Sequence, residues 1–121
     1  MSIWVWIGIG LLGGFGALGR FFVDGLVAAR VGRDFPLGTF LVNLSGSAIL
    51  GFLVGLGLTG DQLLLAGTAT IGSYTTFSTW MLESQRLVED GELAVAAGNL
   101  LLSLFVGLGA VALGRLIGGH L

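Results

Sequence analysis

The sequence has no cysteine, one proline and one histidine among its 121 residues. Without cysteine there is no disulfide framework and no thiolate metal site. The one histidine, His120, stands next to the last residue, which excludes histidine-based catalysis and a histidine metal cluster. Charge is also scarce. Charged residues make up 10% of the chain, where a soluble domain carries about 25%. The formal net charge is −2, and no basic patch favours a nucleic-acid partner.

What the sequence has is apolar surface. Hydrophobic residues make up 55% of the chain, and the mean hydropathy is +1.00. A soluble core needs a polar coat that this composition cannot supply. The reading is a polytopic, all-α protein of the cell membrane, surrounded by lipid bilayer.

Four spans are predicted, each near the ~20 residues a helix needs to cross a bilayer. They cover Ile3–Phe22, Pro36–Leu58, Leu63–Leu82 and Leu93–Leu113. Short segments join them: Asp24 to Asp34, which is the first loop or a helix end plus a loop, Thr59 to Gln62, and a polar loop around Arg86 to Glu92. Residues 1–121 therefore form one four-helix transmembrane domain, with no soluble domain to hold an enzyme site. No basic residue precedes Arg20, so the first span reads as retained and not as a signal peptide.

Local chemistry marks several positions. Trp4 and Trp6 open the first span, where aromatic belts form. Gly10 and Gly14, with Gly8, Gly13, Gly16 and Gly19, allow another helix to approach closely, and Gly51 with Gly55 form a second such pair. Pro36 suits the first turn of a helix, where its missing N–H is not needed. Arg20 is either an interfacial anchor that snorkels or a positive charge at the mouth of an anion path. Asn43, roughly two turns into the second span, is either an interhelical hydrogen-bonding group or a pore-lining N–H donor.

The third span carries the stretch Gly72-Ser73-Tyr74-Thr75-Thr76-Phe77-Ser78-Thr79 in its middle. A lipid-facing helix has no use for so many hydroxyls. Unwound backbone at membrane depth is tolerated only where protein buries it or it lines a wet cavity. This helix is predicted to break there, and the break is the functional segment. No internal repeat is present. Transporter folds commonly pair two repeats around a midplane site, so a second copy is expected to supply the missing half as a homodimer.

Three motifs carry a resemblance to a known family. Gly38-Thr39-Phe40-Leu41-Val42-Asn43-Leu44-Ser45-Gly46 is similar to the second-helix signature of the small fluoride channels called Fluc, or CrcB. Gly72-Ser73-Tyr74-Thr75-Thr76-Phe77-Ser78-Thr79-Trp80, followed by Glu83, resembles their third-helix signature, and Gly16-Ala17-Leu18-Gly19-Arg20 their first-helix ending. The resemblance covers the whole chain. It implies a passive fluoride channel built as an antiparallel homodimer of dual topology, with two pores lined by both subunits. It implies a structural sodium ion held by the carbonyls of Gly72 and Thr75 from both copies. It places Asn43, Phe77, Trp80, Ser78, Thr79 and Asn99 along the fluoride pore, with Arg20 near its entrance. Trp80 departs from the usual phenylalanine, and Ser73 and Tyr74 depart from small or apolar residues.

The chemistry of the residues agrees with an anion. Amides and hydroxyls donate hydrogen bonds, and the positive edge of an aromatic ring can face a negative ion. A small multidrug-type exporter, also a four-helix dual-topology dimer, depends on an acidic residue in its first helix, and Ile3 to Gly19 has none. A non-transporting membrane scaffold subunit needs no clustered hydroxyls between aromatics. An intramembrane enzyme needs a nucleophile and a base that this chain lacks. Arg20, Arg30, Arg33 and Arg86 fall on one side of the predicted topology and Arg115 on the other, a bias that favours placing both termini outside.

Overall fold

The computed structural model describes residues 1–32 and 34–121; Arg33, one of the first-loop arginines, lies outside the described residues. Four helical passes are present. Helix α1 spans Ile3–Val31 and α2 spans Leu37–Gly55. The third pass is assembled from α3 (Gly60–Leu63), a π-helical stretch π1 (Leu64–Ile71), α4 (Gly72–Tyr74) and, after a break, α5 (Ser78–Glu89). Helix α6 spans Leu93–Gly119. Among the described residues no strand is present.

Three of these helices, α1, α2 and α6, are long and apolar enough to cross a membrane unbroken. The third pass joins them as two shorter rods. The chain is a multi-pass membrane protein, and it is apolar on the outside: Phe15, Phe21 and Phe105 are each more than half exposed, while the buried hydrophobics are Val42, Ala69, Ile71 and Ala96. Water would not tolerate that inversion, but lipid does.

Two helices are longer than the sequence suggests. The segment from Asp24, by sequence either the first loop or a helix end plus a loop, is a helix end that continues α1 to Val31. Leu26, Val27, Ala28 and Ala29 hold no breaker, and the stop comes at Gly32, whose φ of 76° ends the helix while its N–H donates to Ala28 O at 2.9 Å. Asp24 is accommodated against the first turn of α2. A side chain at Gly38 would overlap its carboxylate, and an anion is favoured at a helix N-terminus. Helix α6 likewise continues past Leu113 to Gly119.

Glycine sets how closely the helices approach. A methyl group on Gly51 or Gly55 would overlap the carbonyl oxygens of Val111 and Arg115, and one on Gly114 or Gly118 would overlap those of Ala48 and Phe52. The α2 and α6 backbones thus interlock through two Gly-x-x-x-Gly pairs facing each other, the most extensive helix contact in the chain. Gly114 and Gly118 were not singled out by the sequence reading. Gly8, Gly13 and Gly16 face π1 and α4, and Gly16 lies against the carbonyl of Thr70. At Gly10 and Gly14 an added Cβ would meet nothing within 4 Å, so among the described residues this pair has no neighbour packed against it.

Candidate functional site

The break in the third pass is built from hydrogen bonds that leave the helical pattern. Through π1 the spacing has already slipped: Thr70 Oγ1 donates to Leu65 O at 2.7 Å, and the Gly72 N–H reaches Gly67 O, both five residues back. Thr75 N–H returns to Ile71 O at 2.9 Å. Thr75 itself turns to extended backbone, with ψ at 161°. The next residue, Thr76, is held from outside. Its N–H donates to Asn43 Oδ1 at 2.8 Å, and its carbonyl accepts from Asn43 Nδ2 at 2.8 Å. One carboxamide therefore satisfies both main-chain groups of the unwound residue.

Thr76 then starts the following helix. Its Oγ1 accepts the N–H of Thr79 at 3.2 Å and donates to Thr79 Oγ1 at 3.2 Å. A threonine hydroxyl that takes the N–H three residues on is the kind of bond that stabilises a helix N-terminus, here made one residue before the Phe77 cap of α5. Gly46 of α2 makes room for the break, because a side chain there would overlap Thr75. Tyr74 is tied to the same face of α2: its hydroxyl lies 2.9 Å from Ser45 Oγ, which itself donates to Val42 O at 3.1 Å.

Two hollows flank this junction, and Thr76 lines both. On one side is an open groove of about 430 Å³, lined by Asn43, Gly72, Thr75, Thr76, Phe77 and Trp80, with Ser47, Thr68 and Ser103 among the other residues. No carboxylate lines it. On the other side is a hollow of about 260 Å³ lined by Arg20, Phe21, Asp24, Thr39, Val42, Thr76 and Thr79. Thr76 is the residue they share, and Asn43, which holds it, lines the groove.

The structure thus collects Asn43, Phe77, Trp80, Gly72 and Thr75 around the groove, and Arg20 with Thr79 in the hollow. Ser78 is exposed and lines neither space, although its hydroxyl lies 3.4 Å from Thr76 Oγ1. Asn99 lines neither as well; it is buried behind Trp80. Thr76 and Ser103 belong to the site and were not singled out from sequence. Ser103 is recognisable in hindsight as a hydroxyl one turn after Asn99, and its Oγ is buried without a hydrogen-bond partner. Asp24 also shares the hollow with Arg20, where sequence placed it in a loop or at a helix end.

Trp80 has a reason of its own. Its ring meets Phe77 edge-on, with centroids 5.7 Å apart and an interplanar angle of 85°. Its indole N–H, which a phenyl ring lacks, donates to the main-chain carbonyl of Asn99 at 3.1 Å. Asn99 Nδ2 in turn donates to Ser84 Oγ at 2.8 Å, and Ser84 Oγ donates to Trp80 O at 2.8 Å. The aromatic wall is therefore pinned to α6. Replacing Trp80 by Phe is expected to lower stability by about 1 kcal/mol, read as a lower melting temperature in detergent. A variant that melts with the native protein would show that the indole bond contributes nothing.

Residues 7–115 match the family profile described as CrcB-like protein, Camphor Resistance (CrcB). The chain belongs to the CrcB family. It is 54% identical over 114 residues to the Fluoride-specific ion channel FluC 2 of Mycolicibacterium paratuberculosis, covering 94% of this chain and 93% of that one. It is 52% identical over 117 residues to FluC 2 of Mycobacterium tuberculosis, covering 97% and 93%. A more distant relative, the Fluoride-specific ion channel FluC of Opitutus terrae, is 39% identical over 125 residues, covering 96% and 92%. CrcB membership thus spans all four passes and both hollows.

Proposed function

We propose that the chain is a passive, fluoride-selective channel that works as an antiparallel homodimer. The observation that carries this reading is the groove: an open, carboxylate-free cleft lined by amide, hydroxyl and aromatic groups at membrane depth, in a chain whose relatives are named fluoride-specific channels. Fluoride is small and strongly hydrated, so a path for it must offer replacement donors. Ser103 Oγ has a free O–H, and the second N–H of Asn43 Nδ2 is not used by Thr76. The edge of Phe77, mostly exposed in one chain, presents partial positive charge.

The same groove supports the dimer. Polar atoms left facing lipid cost several kcal/mol each, and a second copy laid over the cleft removes that cost. Gly72 and Thr75 line the cleft at the break, and neither the Thr76 N–H nor the Thr79 N–H is directed at their carbonyls. Carbonyl oxygens suit a hard monovalent cation, so these four oxygens, two from each copy, fit a central sodium ion. When bound, the ion supplies fixed positive charge between inward-pointing carbonyl dipoles. The chain's own residues do the rest: Arg20 attracts anions to the hollow, Thr79 offers its hydroxyl there, held by the Thr76 hydroxyl that donates to it, and the aromatic pair shapes the groove.

Liposomes holding the purified protein are expected to lose fluoride down its gradient and to retain chloride, with no proton gradient required. Equal chloride loss, or efflux only with a proton gradient, would overturn the channel reading.

A further inference from the structure

We propose that Asn43 and Thr76 are positioning residues for the central cation: their side chains take the two amides that would otherwise close on Gly72 and Thr75, and so hold both carbonyls open. This rests on the cation reading above. In a continuous α-helix each N–H bonds the carbonyl four residues back. The Thr76 N–H is the helical partner of Gly72 O, and it is taken by Asn43 Oδ1 at 2.8 Å. The Thr79 N–H is the helical partner of Thr75 O, and it is taken by Thr76 Oγ1 at 3.2 Å. The two residues named for the cation are thus the two whose carbonyls lose their helical N–H partners to side chains. Asn43 strengthens its hold by donating back to Thr76 O at 2.8 Å, so a single amide group binds both faces of one peptide residue as a neighbouring strand would.

The consequence is a division of labour. The carbonyls that face the ion carry no side-chain identity, so their availability must be encoded elsewhere. It is encoded on α2, by Asn43, and at the cap of α5, by Thr76. Without either side chain the freed amide returns to its helical carbonyl, and a cation must displace it to bind. Asn43 therefore acts on the cation site through Thr76, whatever it also does in the groove.

The test is the sodium dependence of the melting temperature, measured on the purified full-length protein in detergent. Sodium chloride is varied against N-methylglucamine chloride at constant ionic strength. A ligand that binds only the native state raises the melting temperature with a midpoint set by its affinity. The native protein is expected to show such a rise. Asn43→Ala and Thr76→Val are each expected to move the midpoint about tenfold higher, the worth of one diverted hydrogen bond. Thr76→Ser keeps the cap and is expected to stay within about twofold of the native midpoint. A purely structural role would lower the melting temperature equally at every sodium concentration, and unmoved midpoints in Asn43→Ala and Thr76→Val overturn the proposal. If Asn43→Ala does not fold, the Thr76→Val and Thr76→Ser pair decides alone. Absence of any sodium response in the native protein removes the cation reading itself, and the proposal with it.

Discussion

Gly114→Val is expected to yield no folded protein. Gly114 sits on α6 where the backbone of α2 comes nearest, and an added Cβ would overlap Ala48 O and lie 2.9 Å from Phe52 N. These are main-chain atoms in a continuous helix. They cannot swing aside as the tip of a side chain can, so relief requires prising the two helices apart. That separation would also undo the reciprocal fit at Gly51, Gly55 and Gly118. Overpacking a well-filled site costs about 1–3 kcal/mol when neighbours can adjust, and here they cannot. Gly109→Val on the same helix serves as the control, since nothing lies within 4 Å of its Cβ position. Size-exclusion profiles and melting curves after detergent extraction decide the matter. A Gly114→Val protein that elutes and melts like the control would show that the helix contact tolerates separation.

Gly72→Phe is expected to leave the single chain folded, yet abolish both dimer and fluoride flux. Gly72 is exposed, nothing approaches its Cβ position within 4 Å, and its φ of −60° and ψ of −36° are ordinary helix values. Replacing a helical glycine even gains up to about 1 kcal/mol of helix propensity. Nothing within one chain therefore opposes the ring. In the proposed dimer the same position faces its own copy across the two-fold axis, and two phenyl rings would fill the space assigned to the cation. Light scattering in detergent, with efflux from liposomes, separates the outcomes. A dimeric, fully conducting Gly72→Phe protein would remove both the two-fold contact and the central cation.

The membrane class, the four passes and the break were legible because they rest on signals that local sequence carries. Long apolar runs report spans, and a cluster of hydroxyls inside one of them reports backbone that leaves the helix. The ends of α1 and α6 were not legible, because Asp24 and Arg30 suit a loop and a helix end equally until Asp24 is seen against the start of α2. The π1 stretch left no sequence signal, since Leu64–Ile71 reads equally well as α-helix and only packing against α1 and α2 reveals the wider turn. Asn43 was legible as important and ambiguous in role. The structure shows its interhelical bond to Thr76, while Thr76 itself was missed because its work is done by main-chain atoms. Gly10 with Gly14 and Gly114 with Gly118 share the same spacing, and only the second pair meets a neighbour within the chain. Spacing alone cannot tell a face turned inward from one turned to lipid.

The open groove also bears on how such a protein is made. In the proposed antiparallel dimer, a newly inserted chain carries a polar cleft that a chain threaded the opposite way closes. Arg30 ends α1 and Arg86 lies in α5, so both mark the same end of the bundle and bias insertion toward one orientation. Assembly of that proposed dimer would then be limited by whichever orientation is scarcer. Each surplus chain of the commoner orientation would be left with its polar seam open to lipid, a substrate for quality control. The yield of working pores would track the evenness of insertion and not the amount of protein synthesised.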